Sequence, residues 1–154
     1  KKLRSVDTNK QNRAQYKANL LIFQRSILEA DEKNKKLLES VKQKPFFVFH
    51  DAYGHMQDHY GLNIAGHFTI NPQQQPGARH LENLRKKLKN AGPTSVFREP
   101  QFQPSYINRL TEGMPVKVDV LDPLATDIAI TPDGYVTFIN SLINNIYNSL
   151  TRKP

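Results

Sequence analysis

The apolar and polar positions of this chain change rhythm at Pro45. Before it, Tyr16, Leu20, Phe23 and Ile27 fall at i, i+4, i+7 and i+11, and Leu37 or Leu38 and Val41 resume the stripe. That spacing predicts one long helix over 9–43, with Asp7 or Thr8 at its N-cap and Pro45 as its stop. Segment 29–36, EADEKNKK, is polar all round, so the middle of this helix is expected to stand in water. A helix of this length is long for a compact domain, and such helices often bridge two units.

Beyond Pro45, short apolar blocks alternate with amphipathic ones. Residues 46–49 (FFVF), 64–70, 94–99 and 116–121 read as strands. Residues 51–61, 76–92, 104–113 and 134–150 read as helices, with Gly61, Gly92 and Gly113 as stops. Ala78, Leu81, Leu84 and Leu88 line one face of the second of these helices. Phe138, Leu142, Ile146 and Leu150 line the last. Strict alternation of strand and helix predicts right-handed crossovers and an α/β fold. The expected architecture is a four-stranded, mostly parallel sheet flanked by helices, preceded by one long backbone helix. The chain then divides into a linker helix over 1–44 and an α/β lobe over 45–154.

A chain of 154 residues suits one core. It has no run of 18 apolar residues, as a membrane-spanning helix would need. Lys1, Lys2 and Arg4 are not followed by an apolar stretch, so no signal peptide is expected. The chain is then cytosolic, relieved of a leader, or a piece of something longer. The absence of cysteine excludes thiol catalysis, thiolate zinc sites and disulfides. The net charge of +8 invites a nucleic-acid reading. However, residues 1–44 hold twelve Lys/Arg against five Asp/Glu, and residues 45–154 hold ten against nine. The excess belongs to the long helix, where charge commonly serves a solvated face. That helix also lacks the interleaved aromatics on which single-stranded bases stack, so no nucleic-acid partner is expected. There is no dinucleotide fingerprint, P-loop or nucleophile elbow, and no spacing suggests a nucleophile with its base.

In an open parallel sheet, ligands bind outside the carboxyl ends of the strands. At those ends stand His50 with Asp51, Glu99, and Asp122; His67 lies within the second strand. One imidazole and two carboxylates converging on one sheet edge form a ligand set for a divalent metal, and imidazole suits zinc. Each residue also has a plainer role. Asp51 reads as the cap of the turn that follows, and Glu99 as a buried carboxylate bonded to backbone. For Asp122, metal ligation and loop-tying are both open, and His50 and His67 can be structural. His55 and His59, at i and i+4 with Asp58 beside them, form a rival zinc pair. That stretch lacks the glutamate of a metalloprotease helix and reads more simply as a solvated face. His80 lies beside the apolar face of its helix and reads as packing.

The elements FHDAYG, GHFTINP, PGA, FREPQF and LDPL, in order over 49–124, carry a resemblance. With the pattern of the long helix, the chain resembles the second lobe of periplasmic zinc-binding proteins over nearly all of 6–150. These are solute receptors of high-affinity zinc ABC importers, in the metal-binding group called cluster A-I or cluster 9. The resemblance implies two α/β lobes joined by a rigid helix, with zinc captured in the cleft between them and delivered to a membrane permease. It implies a periplasmic location and binding rather than catalysis. It also implies that a first lobe, with its own histidines, is absent from these residues.

Carried over by position, His50 matches the primary zinc histidine of the second lobe. Asp122 matches the carboxylate that completes the site in the manganese branch, a place that water takes in some zinc members. Glu99 lines the cleft behind the ligands, and His67 matches a histidine for an auxiliary, weaker site. The manganese branch tends to carry glutamate at the position of His50, so a manganese or iron receptor is the rival within the group. Many relatives carry a cysteine in the SVFREP strand and another near the C-terminus, a disulfide by implication; here those points are Ser95 and Ser149.

Overall fold

The computed structural model describes residues 6–71, 73–74, 76–102 and 105–152. In chain order these form α1 (Lys10–Leu38), β1 (Phe46–His50), α2 (Gly54–Tyr60), β2 (Ile64–Thr69), α3 (Ala78–Ala91), β3 (Thr94–Arg98), α4 (Ser105–Thr111), β4 (Val116–Val120) and α5 (Gly134–Thr151). Every expected strand and helix is present, with shifted ends. Pro104, the expected first residue of the fourth helix, lies outside the described residues.

The strand order is β2-β1-β3-β4 and every pairing is parallel. Each strand-to-strand connection therefore needs a crossover, which α2, α3 and α4 supply in turn. The continuous apolar run of β1 serves both faces of the sheet. Phe46 and Val48 join a cluster with Leu38, Phe97, Leu121, Leu142 and Ile146 on the side of α1 and α5. Phe47 and Phe49 join Phe68, Leu84, Leu88, Val96 and Ile107 on the side of α3 and α4. Helices α2 and α3 stop where expected: Gly61 and Gly92 take positive φ values of 65° and 68° at their ends, a region open to glycine.

The long helix departs from expectation in three respects, its cap, its buried face and its end. Its cap is Asn9, not Asp7 or Thr8: the Asn9 side chain accepts the backbone N–H of Gln11 at 2.9 Å. Asp7 instead braces the cap, accepting from the Asn9 N–H at 2.8 Å and the Tyr16 hydroxyl at 3.1 Å. The second departure is an inversion of burial. Ala30 and Asn34, within the all-polar segment, are buried, while Leu20, Leu21, Ile22, Phe23 and Leu28 are exposed.

Polar groups hold the buried half in place. Asn34 donates to the Asn140 side chain of α5 at 3.0 Å, and Asp31 bonds His59 of α2 at 2.6 Å and Lys35 at 2.8 Å. The helix ends at Leu38, not at 43. There the chain tightens into turns, with the Lys42 N–H on the Leu38 carbonyl at 2.8 Å, and Val41 enters the core.

The far end of α5 is tied down by a second polar set. Lys44 donates to the Leu150 carbonyl at 2.8 Å and Lys117 to the Ser149 carbonyl at 3.3 Å, two cations on the negative end of a helix. The hydroxyls of Ser95 and Ser149 hydrogen-bond at 2.8 Å, both buried, and Ser149 also bonds Asp119, which pairs with Arg152. The two serines thus face each other as the resemblance implies.

Two stability measurements follow from these contacts. Burial raises the Asp31 carboxyl, but bonds from Lys35, His59 and Tyr60 outweigh it and hold the group at about 2, below its ordinary 3.8. A depressed folded-state pKa adds stability that is present above the unfolded value and lost as pH falls toward the folded one. Allowing for solvent screening, Asp31→Asn should cost about 1 kcal/mol at neutral pH in urea titrations, and parent and variant should converge as pH falls from 3.8 to about 2. Ser95→Cys with Ser149→Cys should form a disulfide on oxidation and raise the unfolding free energy by about 2–4 kcal/mol relative to the reduced double variant.

Candidate metal centre

The strand order places β1 at the centre of chain reversal. From β1 the chain moves outward to β2, then returns across the sheet to β3 and on to β4. The carboxyl ends of β1 and β3 are therefore the topological switch point, where such sheets open a crevice. Register decides what stands there. Phe46, Phe47 and Val48 pair with Ser95, Val96 and Phe97. Continued by two residues, that register sets His50 beside Glu99 on the face of α1 and α5.

The two side chains meet: His50 Nδ1 and Glu99 Oε1 form a short hydrogen bond. The Glu99 side chain is only 3% exposed, whereas that of His50 is 21% exposed. A ligand can reach the imidazole but not the carboxylate behind it. Burial pushes the Glu99 carboxyl above its ordinary range; the adjacent His50 opposes this shift and the Asp122 charge adds to it. With the carboxylate on Nδ1, the proton of a neutral imidazole sits on that nitrogen and Nε2 is left with its lone pair. This is the arrangement by which a histidine is oriented for a metal.

Asp122 stands just past β4 and ties its own loop. Its Oδ1 accepts from the Gln101 side chain at 2.8 Å and the Leu124 N–H at 3.0 Å. Its Oδ2 accepts from the Thr126 N–H at 2.7 Å and from the Thr126 hydroxyl. Burial raises this carboxyl, but these four donors outweigh it and hold it below its ordinary range. They occupy the lone-pair positions of an ionised carboxylate, so Asp122 reaches a metal only by releasing one of them. The loop they close contains Ala125 at a φ of 55°, a left-handed conformation that is uncommon for a residue with a Cβ.

The other histidines stand apart from this pair. His67 in β2 stacks on His80 of α3, ring centroids 6.1 Å apart, and His80 Nε2 bonds the His67 carbonyl at 3.1 Å. His80 is therefore an exposed partner of His67 and not a packing residue. His55 and His59 line a groove of about 720 Å³ with Asp31, Met56, Tyr135 and Phe138. His59 is committed there to Asp31. Asp51 is exposed and does not cap α2: the N-cap position falls to Tyr53, without a side-chain bond. Among the described residues, no three His, Asp or Glu side chains form a group able to hold a metal.

Sequence reasoning missed the residues that serve these groups. Gln101 was visible only as a letter of FREPQF and Thr126 carries no motif signal, since the role of both depends on where Asp122 lies. Tyr53 was visible only as a letter of FHDAYG. Its ring is buried at 5% exposure and its hydroxyl has no hydrogen-bond partner among the described residues.

Comparison with known proteins bears on the family and the fold. The family model described as zinc-uptake complex component A, periplasmic, matches residues 1–149. High-affinity zinc uptake system protein ZnuA of Yersinia pestis is 39% identical over 147 residues, 96% of this chain and 46% of that protein. ZnuA of Haemophilus influenzae is 38% identical over 134 residues, 87% of this chain and 40% of that protein. The chain thus spans less than half the length of these curated relatives. Among solved structures, a crystal structure of ZnuA superposes with a TM-score of 0.76 at 26% identity, covering 92% of this chain and 50% of its own. The AdcAII protein of Streptococcus pneumoniae gives 0.77 at 25% identity, covering 97% and 55%. No helix among the described residues is long and apolar enough to cross a membrane. The family model matched over residues 1–149, together with the identity to the two zinc-uptake proteins, places this chain in the periplasmic zinc-uptake component A family.

Proposed function

We propose that this chain is the metal-capturing second lobe, with linker helix, of a periplasmic zinc receptor that serves an ABC-type importer. The observation that carries the reading is the His50–Glu99 pair at the carboxyl ends of β1 and β3. His50 offers Nε2 to zinc as a neutral imidazole. Glu99 fixes the ring from behind and stays out of reach of the ion. Asp122 shapes the rim of the site, and it or a water fills a further coordination position. His67 takes the auxiliary, weaker position. The chemistry is capture and release: ligand exchange on zinc, with no bond of a substrate made or broken. A borderline-soft ion with imidazole ligands favours zinc over manganese.

A structural zinc needs about four ligands and a catalytic or transported one at least three. One histidine cannot supply them, so the remaining ligands belong to a first lobe across the cleft. The exposed apolar side chains in the middle of α1, from Leu20 to Leu28, fit a helix whose exposed part another lobe covers. The closed complex then docks on a membrane permease.

Calorimetric titration of this chain with zinc is expected to give weak binding that His50→Ala abolishes. Tight binding that survives His50→Ala would overturn the assignment and move attention to His55 and His59.

A further inference from the structure

The buried hydroxyl of Tyr53 has no part in the reading above, yet the charges of both site carboxylates, Glu99 and Asp122, act on it. Its ring belongs to the same apolar cluster as Val48, Phe97 and Leu121. Val48 stands two residues before His50, Phe97 two before Glu99, and Leu121 directly before Asp122. Side chains two apart on a strand share a face, so the cluster that holds the Tyr53 ring also holds Val48 beneath His50 and Phe97 beneath Glu99. The backbone fixes the position of the ring as well. The Ala52 N–H bonds the His50 carbonyl at 2.9 Å, and the Gln57 N–H bonds the Tyr53 carbonyl at 2.8 Å.

A buried phenol ordinarily finds a partner, because an unpaired one forfeits its hydration. Burial and the charges of Glu99 and Asp122 all raise its pKa, so it remains a proton donor. Glu99 meets His50 through Oε1, which leaves Oε2 for a second donor.

We propose that Tyr53 is a positioning residue of the metal centre: its hydroxyl, through one bridging water, donates to the free oxygen of Glu99 and holds that carboxylate against His50. The inference rests on the reading of His50 as a ligand aimed by Glu99. Bridging waters make bonds nearly as favourable as direct ones, and a carboxylate gripped from both sides cannot swing away from the imidazole. If the ring were there for packing alone, the hydroxyl would be only a burden.

Tyr53→Phe separates the two roles, since it keeps the ring and removes the oxygen. The imidazole proton and nitrogen signals of His50 are followed by NMR in the metal-free chain, and zinc is then titrated. In the parent, the Nδ1 proton is expected far downfield and slow to exchange. In Tyr53→Phe it should move upfield and exchange faster, and zinc affinity should fall about tenfold. In a Glu99→Gln background, Tyr53→Phe should change neither quantity, because the two residues act in series.

Unchanged imidazole signals with a higher melting temperature would overturn the proposal, being the result expected on deleting an unpaired buried hydroxyl. So would an effect that persists in the Glu99→Gln background. Zinc binding indifferent to His50→Ala would sink the metal reading instead, and the metal-free imidazole signals would still decide the role of Tyr53.

Discussion

The in-register parallel pairing of β1 with β3 is the constraint on which the site depends. A carboxylate as buried as Glu99 is tolerated only beside a donor, since leaving such a group unpaired carries its full desolvation penalty. The register supplies that donor from the neighbouring strand. A slip by one residue would turn His50 to the opposite face and leave Glu99 alone. The register is guarded by the rows on either side. Phe46 and Val48 fill one core and Phe47 and Phe49 the other, so a shift of β1 would have to repack both. The edge-to-face contact of Phe46 with Phe97, 5.5 Å between centroids, pins the same two strands nearer their start.

The two carboxylates of the site divide the work by environment. Glu99 sits behind the histidine, nearly dry, and acts on it through one short bond. Asp122 sits at the rim and spends its oxygens on the loop that follows β4. That loop carries Ala125 in a left-handed conformation, which costs an L-residue about 1–2 kcal/mol. The donors gathered on Asp122 offset that cost and keep the rim in one shape. Burial raises both carboxyls, and the difference in their donors sends the net shifts in opposite directions.

The sheet was legible because its strands are short apolar blocks between helical patterns, a signal that needs no knowledge of contacts. His50, Glu99 and Asp122 were legible for the related reason that strand ends mark the crevice. Their hydrogen bonds were not, since Gln101 and Thr126 become partners of Asp122 only once β4 is placed. The long helix misled for a physical reason. Periodicity ranks faces by hydropathy, but α1 docks through Asp31 and Asn34, whose partners His59 and Asn140 lie 28 and 106 residues away. A polar face satisfied by distant polar groups cannot be told from a solvated one in a single sequence. Asp51 illustrates the same limit: a residue well suited to cap a helix was left three places ahead of the helix start.

Helix α1 has a mechanical side. At 29 residues it is about 43 Å long. Its buried residues, Ala30, Asn34 and Leu38, all lie in its last third, and Phe23 meets Tyr135 edge to face further out. The rest is an overhanging beam. A tilt of about 5° pivoting at Asn34 displaces Lys10 by roughly 3 Å, from the helical rise alone. Two side-chain hydrogen bonds near the pivot, Asp31 to His59 and Asn34 to Asn140, therefore work at the short end of a lever. Small changes in their geometry are magnified into ångströms at the tip, so the aim of anything mounted there is set by a few polar atoms near the pivot.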